Sequence, residues 1–360
     1  MIVYVILIAP IFLLAFLNMS KEFNNNVITK VVFSFFLIFL SLFAGLRKDT
    51  GFDYYSYERI FFSSEYRNLF GGSVEPGYIL LNRLILKLFG SYHVLLTILA
   101  FISTLLIMRF IYRYSPYKIL SLYFYVAVYF VGGITGQMRQ AFAMSILTLA
   151  FRYVEERRFW PFISIVFLAS LFHVSSLVFL IFYFIYPVRI TKKRIISFIL
   201  ISIVLGSIDL MRFLIPIIEL LPKYSLITSF LGYIDSRHVK SLMFSAGFFE
   251  RLLAIFLVLI YFDNLINKYR NSKLLIWSYI LGSSIYFFFI EYQIFARRLS
   301  SYFKIVDIIL LTMIIGTVKN KYLKLVVFVI FSMLYLANLF ATVNNPSGNY
   351  FPYLFIFSTN

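Results

Sequence analysis

Apolar residues fall in long, nearly unbroken blocks along this chain, and charges are confined to the short segments between them. Blocks run from Ile2 to Leu17, Val27 to Leu46, Tyr92 to Phe110 and Ile119 to Val131. Others follow at Gln137 to Tyr153, Ile195 to Ile217, Glu250 to Ile266, Leu274 to Tyr292, Ser300 to Val318 and Leu323 to Ala341. A block of roughly 20 residues crosses about 30 Å of hydrocarbon, and only a helix satisfies its own backbone there. The short alternating segments of a barrel are not found. The pattern predicts an all-α polytopic integral membrane protein with about 12 crossings.

Two stretches depart from that pattern. Phe159 to Pro187 is long for one tilted helix and short for two, with His173 at its centre. It is expected to form a pair of short, broken helices meeting partway into the membrane, a geometry tolerated where it lines a cavity. Ile79 to Phe89 sets Asn82, Arg83 and Lys87 against leucines, as in an amphipathic helix lying in the interface. With no internal repeat and no soluble domain, residues 1–360 form one transmembrane domain. It carries large extracytoplasmic loops at 47–91 and 219–249. The first block has no basic residue ahead of it and no small-residue cleavage site behind it, so it is expected to be a retained span.

Composition agrees with this reading. The 360 residues are 62% hydrophobic and 21% aromatic but only 13% charged, about half the usual charged share of a globular domain. With no cysteine, disulfides, thiolate metal sites and cysteine nucleophiles are excluded. A net charge of +18 would point to nucleic acid in a soluble chain, but the positions of the bases argue otherwise. One set of loops holds Lys21, Lys30, Arg109, Arg113, Lys118, Arg152, Arg157, Arg158 and the Arg189–Arg194 cluster, with Glu22, Glu155 and Glu156 as its acids. By the orientation rule that side is cytoplasmic, and no nucleic-acid partner is implied.

The opposite side should be poor in arginine, yet Arg47, Arg139, Arg251, Arg297 and Arg298 fall on it. Arg139, Arg251 and the Arg297/Arg298 pair are expected at the starts of helices, where the partial positive charge opposes them. An external anion resolves the conflict, since helix starts and guanidinium forks together bind phosphate well. The alternative pairs each arginine with Asp49, Asp53, Glu75, Glu250 or Glu291, or lets it reach lipid headgroups. Gly45 to Tyr57 packs bases, acids and tyrosines together and is expected to be a wet, structured site at the membrane boundary. Tyr54, Tyr57 and Tyr78 suit either stacking on sugar rings or interfacial anchoring. His173 is either a cavity residue or a satisfied core histidine. Three histidines and scattered acids make no metal site, and no cofactor is implied.

Arg47-x-Asp49-x-Gly51-x-Asp53-Tyr54, Glu75-Pro76-Gly77-Tyr78, Arg139-Gln140, Phe172-His173-x-Ser175 and Pro352-Tyr353 follow one another in a defined order. That order resembles the EpsG family of Wzy-like polysaccharide polymerases over nearly the whole chain. The resemblance implies a metal-independent membrane glycosyltransferase of GT-C-like architecture in the bacterial inner (cytoplasmic) membrane, its active site facing outward. It implies undecaprenyl-pyrophosphate-linked oligosaccharide as donor and acceptor, for O-antigen, capsule or exopolysaccharide. The lipid bilayer, a chain-length regulator and a flippase are the other expected partners.

For that chemistry Arg139, Arg251, Arg297, Arg298 and Arg47 are the candidates for the pyrophosphate. Asp53 is the first candidate base, followed by Glu75, Asp49 and His173. Tyr54, Tyr57, Tyr78 and Gln140 are the candidates for sugar contacts. A flippase or transporter of the same lipid-linked oligosaccharide, and a ligase or transferase using the same donor, are the alternatives.

Overall fold

Few prolines and glycines interrupt the apolar blocks, so most of them fold as helices. The computed structural model describes residues 1–19, 26–70, 72–209, 212–213, 215–216 and 241–358. Lys21, Glu22 and positions 219–240 of the second expected loop lie outside the described residues.

The first half opens with α1 (Ile2–Asn18) and α2 (Asn26–Gly45), then α3 (Tyr54–Phe62), α4 (Pro76–Phe89) and α5 (Tyr92–Tyr114). Next come α6 (Lys118–Tyr125), which continues as a π-helical segment over Val126–Ile134, α7 (Met138–Leu147) and α8 (Ala150–Glu155). α9 (Phe159–Ser170), a 3₁₀ segment (Val174–Phe179) and α10 (Leu180–Ile185) form the expected broken pair, with His173 extended at the break (φ −157°, ψ 108°). The second half holds α11 (Lys192–Ser207), α12 (Ala246–Ile260), α13 (Phe262–Lys268), α14 (Ser272–Phe288), α15 (Gln293–Lys304), α16 (Asp307–Thr317) and α17 (Lys321–Val343). Thr191, Ser245 and Asn320 cap α11, α12 and α17 through their side chains, as residues of these types do at orphaned helix starts.

Among the described residues, α2, α5 and α17 are each long and apolar enough to cross a membrane, and the bent pair α15–α16 adds a fourth if counted as one span. The remaining apolar helices are shorter, so this is a multi-pass helical architecture with a lower count of clear spans than the block pattern predicts. One expected span is broken. The block from Ser300 to Val318 has the length of one span, but the chain bends by 57° between α15 and α16. The helix start moves back to Gln293, which places Arg297 and Arg298 in the second turn rather than at the start. Arg251 likewise sits in the second turn of α12, whereas Arg139 does stand at the start of α7.

The core helices pack α2 on α5, α5 on α7, α7 on α9, α11 on α14 and α14 on α15. α4 takes the expected amphipathic form, with one difference. Its exposed side is the leucine side (Leu80, Leu84, Leu88), while Asn82 is buried and donates to the Tyr78 carbonyl at 2.6 Å.

The charged stretch after α2 is tied down from the far end of the chain. Strand β1 (Arg47–Lys48) pairs antiparallel with β2 (Leu354–Phe355), with Arg47 opposite Phe355. Tyr353 donates to the Phe43 carbonyl, and the Tyr4 hydroxyl donates to the Tyr350 carbonyl at 2.7 Å. Gly51 completes this turn at φ +112°, where an added Cβ would lie 1.9 Å from the Thr135 carbonyl oxygen. Only glycine fits that approach.

Candidate active site

Glu75, Arg139 and His173 come from three different elements and meet in one place. Glu75 is the residue before α4, and the Pro76–Gly77 step lets α4 begin against the end of α9. The Tyr78 amide donates to the Leu171 carbonyl at 3.3 Å, and a Cβ on Gly77 would lie 2.8 Å from Leu171 atoms. This close approach brings Glu75 beneath the α9 break. His173 Nδ1 lies 3.0 Å from Glu75 Oε1, and the Val174 amide donates to the same oxygen at 3.3 Å. The other carboxylate oxygen, Oε2, accepts from Arg139 Nη1.

Burial alone would raise the Glu75 carboxyl, but the His173 hydrogen bond and the Arg139 charge outweigh it and hold it below its ordinary range. An ionised carboxylate only accepts hydrogen bonds, so His173 Nδ1 is the donor and a neutral ring leaves Nε2 as the acceptor. Arg139 lies over the faces of Tyr57 and Tyr78, at 5.5 and 5.7 Å from the ring centroids, and its Nε is buried without a partner.

These groups line a cavity of about 450 Å³, together with Asp53, Ser56, Tyr57, Gln137, Gln140 and Arg298. The Tyr57 hydroxyl donates to Asp53 Oδ2 at 3.3 Å, and burial, first among its causes, pushes the phenol up to about 12. Tyr57 therefore remains a neutral donor at physiological pH. Gln140 Nε2 donates to the Arg298 carbonyl at 2.9 Å and to Ser301 Oγ at 2.8 Å, which fixes α15 against α7.

Of the residues singled out from the sequence, Asp53, Glu75, His173, Arg139, Arg298, Tyr57 and Gln140 share this cavity. Tyr78 is buried behind it. Arg47 is elsewhere. It is 1% exposed and donates to the Thr50 carbonyl at 3.1 Å and to the Ala44 carbonyl, so it braces its own turn. Tyr54 is buried beside it, and Asp49 sits at φ 51° with its carbonyl held by Asn349. Only the end of the Gly45–Tyr57 stretch, from Asp53 onward, reaches the cavity.

Arg251 and Arg297 lie on the opposite face of α15. Arg298, Ser301 and Tyr302 form the cavity-side row, and Tyr302 meets Ser175 at 2.8 Å between oxygens. Arg297, Ser300 and Lys304 form the other row, as the helical repeat requires. Beyond that row is a buried cluster that the sequence reading missed. Lys304 Nζ pairs with Glu250 at 2.9 Å and with Asp307, and Tyr129 and Tyr335 donate to Asp307 Oδ2 at 3.0 and 3.4 Å. Lys304 and Asp307, spaced i,i+3 inside an apolar run, were the available signal. No group of three or more metal-ligating side chains occurs among the described residues.

Apolar helices around a cleft of paired carboxylate, guanidinium and imidazole define a multi-pass helical membrane protein with a buried polar cleft. The EpsG family model matches residues 30–355, and the chain belongs to that family. Membership marks it as a polysaccharide-polymerase-like membrane protein. No curated protein and no solved structure matches the chain.

Proposed function

We propose that this protein is a polysaccharide polymerase that joins undecaprenyl-pyrophosphate-linked oligosaccharide repeat units at the outer face of the bacterial cytoplasmic membrane. The observation that carries this reading is the Arg139–Glu75–His173 array on the wall of a 450 Å³ cavity.

The chemistry follows from those groups. An acceptor hydroxyl attacks the anomeric carbon of the donor and forms the glycosidic bond. Its proton passes to His173 Nε2, which Glu75 orients through Nδ1, as a carboxylate orients a histidine in a hydrolytic triad. The bond from the anomeric carbon to the diphosphate oxygen breaks, and its electron pair leaves with the diphosphate. Arg139 and Arg298 offset that charge. Glu75 is held too low to be a strong base, so it orients while His173 accepts. Asp53, bonded by Tyr57, is placed to hold a sugar hydroxyl.

The test supplies purified protein with lipid-linked repeat units and no other acceptor. A ladder of lengthening lipid-linked chains supports the polymerase. Transfer only to an added foreign acceptor would indicate a ligase, and transport across vesicles without any joining would indicate a flippase.

A further inference from the structure

Two lipid-linked chains must be present together for such a reaction, and the cavity accounts for one diphosphate. We infer that the opposite face of α15 holds a second anion site, formed by Arg251 and Arg297, that takes the phosphate of a second polyprenyl-linked chain. This rests on the polymerase reading, but it is carried by different residues.

Arg251 is 6% exposed and lies with its guanidinium carbon 3.7 Å from the centroid of the Tyr286 ring. Nη1 turns back to the Gly247 carbonyl at 2.9 Å, Nη2 reaches Ser300 Oγ at 3.4 Å, and Nε is buried without a partner. The guanidinium is thus folded toward the start of α12, whose first amides add partial positive charge. Arg297 is exposed on the same row, and the Ser300 hydroxyl that Arg251 reaches donates to the Arg297 carbonyl at 3.3 Å.

The nearby carboxylates do not neutralise them. Glu250 and Asp307 are both held by Lys304, and among the described residues neither Arg251 nor Arg297 forms an ion pair. Among the described residues two carboxylates stand against three cations (Lys304, Arg251 and Arg297), which leaves one positive charge in excess. For the buried Arg251 such an excess calls for an anion.

The position also suits a lipid. On another flank of α12 a mostly apolar groove of about 550 Å³ runs between Phe249, Leu252, Leu253 and Phe256 and, from α17, Ile330 and Leu334, with Glu250, held by Lys304, as its one charged lining residue. A polyprenyl chain whose phosphate sits at Arg251 and Arg297 would have this groove on the same helix to lie in, which a free phosphate does not need.

Undecaprenyl phosphate, titrated into the detergent-purified full-length protein with excess phosphatidylglycerol present, provides the probe, and native mass spectrometry counts bound lipids. Wild type should bind two. R297Q, an exposed change that spares the fold, and R251Q/R297Q should each weaken one of the two events about tenfold or more, while R251K/R297K retains much of it. E75Q/R139Q, which removes both halves of the cavity pair, should weaken the other event. Two tight events in both R297Q and R251Q/R297Q would overturn the second site, as would its loss to phosphatidylglycerol. One lipid in wild type, lost only in E75Q/R139Q, would overturn it and leave the cavity reading standing. Sensitivity to Arg251 and Arg297 but not to Glu75 and Arg139 would support the second site and count against the cavity. Indifference to every variant would sink both.

Discussion

Glu75 Oε1 accepts from His173 Nδ1 at 3.0 Å while the other oxygen of the same carboxylate holds Arg139, so one side chain fixes both a base and a cation. H173A and E75Q should each lower the chain-joining rate by about 10²-fold or more, and the double variant should be little worse than either alone. Initial rates of ladder formation on purified protein, with size-exclusion profiles as the fold control, check this. Additive losses would separate the two roles.

The same pair sets an acid limit. Because the Glu75 carboxyl is held below its ordinary 4.5, its contribution to stability is fully present above that value and fades as pH falls through the lower folded one. The difference in thermal midpoint between wild type and E75Q should be present at about pH 5 and close at more acid pH. A difference that widened as pH fell below about 4.5 would reverse the sign and reject the assignment.

Among the described residues Lys304 is the only cation that holds both the buried Asp307 and the partly buried Glu250. K304M should cost about 3–5 kcal/mol by leaving Glu250 and Asp307 unpaired, and E250Q/K304M/D307N should recover much of that loss. The thermal midpoint in detergent reads both. Equal midpoints for wild type and K304M would mean the cluster does not brace the α15–α16 bend.

At Gly51 the limit is steric. G51A adds a Cβ 1.9 Å from the Thr135 carbonyl oxygen at a φ of +112°. A cost of about 1–3 kcal/mol or more is expected. It would be seen as a reduced yield of monodisperse protein, and normal yield and midpoint would show that the turn relaxes freely.

Helices long enough to cross a membrane were legible because their length and apolar character are local properties, as in Tyr92–Tyr114. The broken pair around His173 was legible for the same reason, since its block had the wrong length for one or two spans. The α15–α16 bend was not. Lys304-Ile305-Val306-Asp307 contains no proline or glycine, and the bend coincides with a cluster whose other members, Glu250, Tyr129 and Tyr335, are far away in sequence. The division of the arginines could have been foreseen in part. Arg297 and Arg298 are neighbours on a helix and so point about 100° apart, which no single diphosphate site accommodates easily. Arg47 lies away from the cavity for a non-local reason: its turn is set by residues near the far end of the chain, through Phe355 and Tyr353.

If the Arg139–Glu75–His173 cleft receives a lipid diphosphate, a density map of the protein with undecaprenyl pyrophosphate bound will show it there. Diphosphate density should fill the cleft, in contact with Arg139 and within reach of Arg298. An empty cleft, with Arg139 still closed on Glu75 and the diphosphate bound only elsewhere, would rule that placement out.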